Sequence, residues 1–280
     1  MALAAIEPKM RTVGILTMPP LANETELVGH GHYITEMADI FMRGGGLTPV
    51  YIPYNISDSD LYDLLAQING VYFTGGDLDL SDPTTGELHP YTITSLKIYR
   101  YALNATDNGD YFPLLGICQG LELLHIIVAN NTNALGWSLL ENAHVSTSFT
   151  VADPTRESRL FSGFAPNLIY AMETRDLLWH FHHRSIPVFY YLKYPKLQEF
   201  FKILSVNEIN GVYIATSVEA KKYPIYLTQY HPEVVLDPAA DINAVRSPIN
   251  YKVAFGFANF FAEECAKSGH RFRDQDTLEA

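Results

Sequence analysis

Cys118 lies in Gly116-Ile117-Cys118-Gln119-Gly120, a glycine–x–nucleophile–x–glycine pattern with cysteine in the place of serine. Such a pattern suits a sharp strand-to-helix turn, where glycines leave room and the nucleophile stands up from the chain. A helix N-terminus behind the thiol is expected to lower its pKa and enrich the thiolate. The competing reading is a small buried hydrophobe, the usual state of a lone cysteine. The flanking glycines and the junction favour a nucleophile, and a nucleophile needs a base. Tyr226-Leu-Thr-Gln-Tyr-His231-Pro232-Glu233 supplies one. His231 ends a predicted strand, and Pro232 stiffens the turn that lets Glu233 meet the far ring nitrogen. Cysteine, imidazole and carboxylate together satisfy the triad logic of acyl transfer. A tetrahedral oxyanion also needs preorganised N–H donors. Gln119 N–H is one, and Gly76 N–H, in Gly75-Gly76-Asp77, is the other. Taken alone, that glycine pair reads as a plain turn.

The elements that must carry these residues follow in order. Strands are predicted over 12–17, 48–53, 71–74 and 112–117, and helices over 33–43, 57–68, 92–104 and 120–129. The 57–68 helix opens with Ser-Asp-Ser-Asp capping chemistry, and the 120–129 helix sets Leu121, Leu124, His125 and Val128 on one face. Four strand–helix alternations predict an α/β fold, a three-layer sandwich around a mostly parallel central sheet. Sites in such sheets gather at the carboxyl ends of the strands. Gly75-Gly76 and Cys118 both fall there. Beyond Asn130 the chain turns β-rich, with strands predicted over 145–151, 168–172, 200–206, 211–217 and 225–230 and a hairpin at Asn210-Gly211. A last helix over 249–267 carries Cys265 and stops at Gly269. With no repeat, linker or low-complexity tract, 1–280 reads as one domain with a core from about 11 to 273. The glycines of Gly29-His-Gly-His32 suggest a close backbone approach.

Composition narrows the function. Of 280 residues 48% are hydrophobic and 18% charged, an ordinary globular balance, and the net charge of −12 offers no footprint for nucleic acid or an anionic membrane. No apolar run reaches membrane-spanning length, and 1–10 lacks a signal-peptide core. Two cysteines make no disulfide framework. The sequons at Asn23, Asn55, Asn104 and Asn130 point toward secretion. His180 and His182 would share a strand face, but without a third ligand nearby no metal is expected.

The cysteine elbow, the upstream Gly-Gly loop and the late His-Pro-Glu resemble the class I glutamine amidotransferase-like superfamily, and within it the gamma-glutamyl hydrolases. Gly70-Val-Tyr-Phe-Thr-Gly-Gly-Asp-Leu-Asp-Leu80, Gly109-Asp-Tyr-Phe-Pro113, Cys118-Gln-Gly-Leu-Glu122, Tyr223-Pro-Ile-Tyr226 and Gln229-Tyr-His-Pro-Glu233 carry the likeness, which runs from about 12 to 273. The resemblance implies thioester hydrolysis of folylpoly-γ-glutamates with no cofactor, by a homodimer that is lysosomal, vacuolar or secreted. It places an auxiliary histidine at His182, in Phe181-His-His-Arg-Ser185. Glu122, four residues after the nucleophile, sides with the hydrolases, since glutaminases usually have Gln there. It would receive a free α-amino group, beside Gly75 and Arg184 as further substrate contacts, with Lys221 and Lys222 as candidate anion donors. Arg184 and Gln119 depart from the hydrolases' common aromatic and Leu, which bears on leaving-side specificity. The alternatives are a glutaminase subunit feeding ammonia to a separate synthase, and an inactive binding protein on the same fold.

Overall fold

The computed structural model describes residues 11–20, 31–239 and 243–273. Asn23 and Gly29 lie outside them. An eight-stranded sheet is built from β1 (Thr12–Leu16), β2 (Thr48–Ile52), β3 (Val71–Phe73), β4 (Leu114–Ile117), β6 (Ser148–Phe149), β8 (Phe201–Ile209), β9 (Val212–Ala220) and β10 (Ile225–Thr228), in the order β2-β1-β3-β4-β10-β9-β8-β6. The first five in that order run parallel, and β9, β8 and β6 continue the sheet antiparallel. β4 thus sits between β3 and β10, with Gly116 level with both Phe73 and Leu227. A separate antiparallel ribbon joins β5 (Gly136–Val145) to β7 (Leu178–Ser185).

Alternation along the strands makes two cores. Leu16, Phe73, Leu114 and Leu227 face one side, where α2 (Asp58–Leu65), α3 (Pro90–Asp107) and α4 (Gln119–Ala129) bring Leu61, Ile98, Leu121 and Leu124. Ile15, Tyr72, Leu115 and Tyr226 face the other, covered by α1 (Glu36–Gly44), α5 (Pro166–Thr174) and α6 (Pro248–Cys265) through Phe41, Met172, Phe257 and Phe261. Each such large side chain, once buried, contributes roughly 2–3 kcal/mol. Local chemistry starts the helices. Ser57 accepts from Asp60 N–H at 3.2 Å, and His89 Nδ1 from Tyr91 N–H at 3.1 Å ahead of Pro90.

Some boundaries differ from the sequence reading. Residues 168–172 are helical, inside α5, because Pro166 opens a turn and Leu168, Ile169 and Met172 bury one helical face. The strand expected over 145–151 is divided, β5 ending at Val145 and β6 holding only Ser148 and Phe149. Ala266, not Gly269, caps the last helix. A Cβ on Gly31 would meet nothing within 4 Å among the described residues. Asn210 and Gly211 do form the hairpin between β8 and β9, with φ of 51° and 80°.

Candidate active site

Cys118 leaves β4 with φ 52° and ψ −107°, a strained backbone for a side chain with a Cβ. The surroundings hold it there. Its N–H donates to Thr228 O at 2.7 Å, and its carbonyl accepts from the N–H groups of Leu121 and Glu122. A Cβ on Gly120 would stand 2.3 Å from Phe73 O, and one on Gly116 2.8 Å from the Gly120 carbonyl. These contacts explain the flanking glycines. The turn cannot close with side chains at either position.

The last residue of β10 is Thr228, and three residues on His231 reaches the thiol. The imidazole stands beside the Cys118 side chain, close enough for each group to act on the other's charge. Its Nδ1 is 2.8 Å from Glu233 Oε1, and its backbone N–H donates to Trp179 O at 2.8 Å. Trp179 also packs edge-on against the ring, centroids 5.2 Å apart. Glu233 is 1% exposed, and its Oε2 has no partner among the described residues. Burial disfavours a charged His231, yet the Cys118 thiolate and the Glu233 carboxylate overcome it and raise its pKa well above the ordinary value. Cys118 is not lowered as the helix N-terminus suggested. Burial pushes the thiol up, and only the neighbouring His231 pulls it back. The opposing pull on the thiol comes from His231.

Gly75 and Gly76 close the other side. A Cβ on Gly75 would fall 2.5 Å from His231 Cε1 and 3.4 Å from Cys118 Cβ. One on Gly76 would fall 2.7 Å from Met18 Sδ and 2.9 Å from Gln119 Oε1. The Gln119 amide pins this loop, donating to Leu78 O at 2.8 Å and accepting from Leu78 N–H at 3.3 Å. As the first residue of α4, Gln119 also has a backbone N–H that no helical carbonyl can satisfy.

A cleft of about 910 Å³ opens over the thiol. Cys118, Gln119, Glu122, Gly75, Gly76, His182, Arg184 and His231 all line it. Lys221 and Lys222 do not. Both border a different hollow, where Lys222 pairs with Asp107 at 2.5 Å and Lys221 donates to Gln198 O. Because β9 runs antiparallel to β10, its carboxyl end lies at the opposite edge of the sheet from Cys118.

Gln229 is a residue that motif reading passed over. Its Nε2 lies 3.9 Å from Cys118 Sγ and 3.2 Å from Glu122 Oε1, tying nucleophile to carboxyl. Its place in Gln229-Tyr-His-Pro-Glu233, two residues before the base, was the available signal. Glu122 is 6% exposed, and burial, with Asp77 adding to it, raises its carboxyl pKa to about 7. On the ribbon, His182 is buried and held down to about 4, first by desolvation and then by His231. Among the described residues no group of three metal-binding side chains converges.

Comparison with proteins of known structure and sequence places this arrangement. The fold matches a Thermoplasma acidophilum protein described as part of a GMP synthase, with a TM-score of 0.52, 14% identity and coverage of 92% of this chain and 98% of that one. That likeness shows a shared mixed α/β fold around a mostly parallel central sheet. The peptidase C26 profile matches residues 12–233, and the chain belongs to that family. Gamma-glutamyl hydrolase of Rattus norvegicus is 30% identical over 268 residues, 95% of this chain and 81% of that protein. Gamma-glutamyl hydrolase 1 of Arabidopsis thaliana is 30% identical over 95% of this chain and 75% of its own length. Gamma-glutamyl hydrolase B of Dictyostelium discoideum is 29% identical over the same shares.

Proposed function

We propose that this protein is a cysteine hydrolase of γ-glutamyl amide bonds. The observation that carries the mechanism is the 2.8 Å contact of His231 Nδ1 with Glu233, which leaves Nε2 for the thiol. The similar hydrolases from animal, plant and amoeba supply the bond. Cys118 Sγ attacks the γ-carbonyl carbon as its proton passes to His231. The N–H groups of Gly76 and Gln119 hold the oxyanion. Collapse breaks the C–N bond, His231 protonates the departing amine, and a γ-glutamyl thioester remains. Water gives a proton to His231 and attacks the thioester, releasing the acid and restoring the thiol. The exposed sequon residues Asn55, Asn104 and Asn130 fit a secretory, lysosomal or vacuolar route.

Purified protein should release p-nitroaniline from L-γ-glutamyl-p-nitroanilide without any partner, and the Cys118→Ala variant should not. Rapid ammonia release from L-glutamine, with the anilide untouched, would favour a glutaminase instead.

A further inference from the structure

Only one oxygen of Glu233 is served. Its Oε1 meets His231 Nδ1 at 2.8 Å, while Oε2 is buried with no partner among the described residues. A buried carboxylate oxygen is costly unless a donor reaches it. Two hydroxyls share its condition, those of Tyr72 and Thr74. Tyr72 is fully buried on β3, and Thr74 is 1% exposed, just before the Gly75 that abuts the His231 ring. Each hydroxyl can donate and accept, whereas an ionised carboxylate can only accept.

Tyr72 and Glu233 lie beneath one helix. α1 packs on the turn Glu233–Val235 and, through Phe41, on the Tyr72 ring, with centroids 6.1 Å apart. Burial, then the charge of Glu233 and then that of Cys118, holds the phenol well above its ordinary pKa. It therefore stays protonated, a donor whose foremost charged neighbour is Glu233. Buried waters characteristically make about three hydrogen bonds to groups left unserved in this way. Resting on the hydrolase reading above, we propose that Tyr72 is a positioning residue, its hydroxyl supporting Glu233 Oε2 through one buried water that Thr74 Oγ1 also holds. The carboxylate is then gripped at both oxygens, one by the base and one from β3, and its plane is fixed toward His231.

The titratable groups around the base are few enough for a pH profile to report this. His231 answers to Cys118 and Glu233, and Glu122, His180 and His182 also share its field. On the two helices packed against the turn, Asp39 pairs with Arg43 and Glu264 with Lys267, while Glu36, Lys252 and Glu263 are exposed.

Tyr72→Phe removes one oxygen and keeps the ring against Phe41. On L-γ-glutamyl-p-nitroanilide its kcat should fall roughly tenfold with KM unchanged, the scale of one hydrogen bond to a charged group. Losing a donor to the ionised carboxylate raises its pKa, so the acid limb of kcat/KM should move up by about one unit. Thr74→Val should move both in the same direction by less. In wild-type crystals, which need no variant to fold, a water should lie within about 3 Å of both the Tyr72 hydroxyl and Glu233 Oε2. A Tyr72→Phe enzyme that only melts earlier, with kcat and the acid limb unchanged, would overturn the positioning role and leave the hydrolase standing. A dry contact in the crystal would overturn it as well. Wild-type protein that cleaves no γ-glutamyl anilide would sink the hydrolase reading, and with it any role for Tyr72 in that reaction.

Discussion

His180 Nδ1 lies 3.0 Å from His182 Nε2, and the other nitrogen of His182 faces the Ser138 carbonyl at 3.2 Å. The carbonyl can only accept, so His182 carries its proton on Nδ1. Its Nε2 is then an acceptor, and the proton between the rings belongs to His180. Burial, followed by His182, holds His180 well below its ordinary pKa, so both rings are neutral. His180 Nε2 is left buried without a partner among the described residues. His182 therefore reaches the cleft as an oriented ring whose basic nitrogen is already engaged.

The two histidines should fail together. The sequence resemblance assigns an auxiliary role to His182; the paired rings predict that His180→Phe alters kcat nearly as much as His182→Phe. His180→Asn, which keeps a donor, should recover part of it. Side-chain nitrogen chemical shifts should move at His182 when only His180 is replaced. An unchanged His182 signal and unchanged kinetics in His180→Phe would break the coupling.

The strained elbow makes a second prediction. Cys118→Ala removes the nucleophile but keeps φ at 52°, so activity is lost with little change in melting temperature. Cys118→Gly is also inactive yet should gain about 1 kcal/mol in stability, because glycine relaxes there. Iodoacetamide should modify Cys118 well before Cys265, which is fully buried on α6 and whose thiol is pushed far up by desolvation. A glycine variant less stable than the alanine one would contradict the strain.

Much of this was readable from residue order, for a physical reason. The elbow and the His-Pro-Glu turn are local: glycine contacts at Gly116 and Gly120 and a two-residue separation set their geometry. Gln229, the His180–His182 pair and the placing of Lys222 depend instead on how β10, the β5–β7 ribbon and β9 are arranged around β4. Sequence spacing carries no measure of that. The helix at 168–172 was missed because a short apolar run has no period long enough to separate helix from strand.

Gly75→Ala should disable the protein without unfolding it. The added methyl would sit 2.5 Å from His231 Cε1, and the ring is easier to shift than the backbone. A displaced base should lower kcat by about a hundredfold. Circular dichroism should stay native. Full activity in this variant would mean that the 75–78 loop yields instead.

Glu122 makes stability depend on pH. Its folded pKa of about 7 exceeds the ordinary 4.5, so the folded state binds its proton more tightly than the unfolded chain. The resulting stabilisation is complete below about 4.5 and is lost as pH rises through about 7. Glu122→Gln, which never ionises, should therefore gain on the wild type by roughly 3 kcal/mol between pH 4.5 and 8.5, from the size of the shift. Paired thermal melts across that range test it, since the other titrating groups cancel in the difference. A constant gap would show that this carboxyl titrates as an ordinary one.

β10 lies between β4 and β9, so the sheet's two halves meet only through a strand near the end of the chain. During synthesis the nucleophile emerges more than a hundred residues before its base. Until 225–228 leave the ribosome, β4 has an open edge and Cys118 has neither Thr228 to fix its backbone nor His231 to take its proton. The thiol is thus made long before its partner imidazole, and the two come together in the same event that closes the sheet. A nascent chain is shielded from its own chemistry, while its bare central strand makes the interval before closure the moment most open to wrong partners.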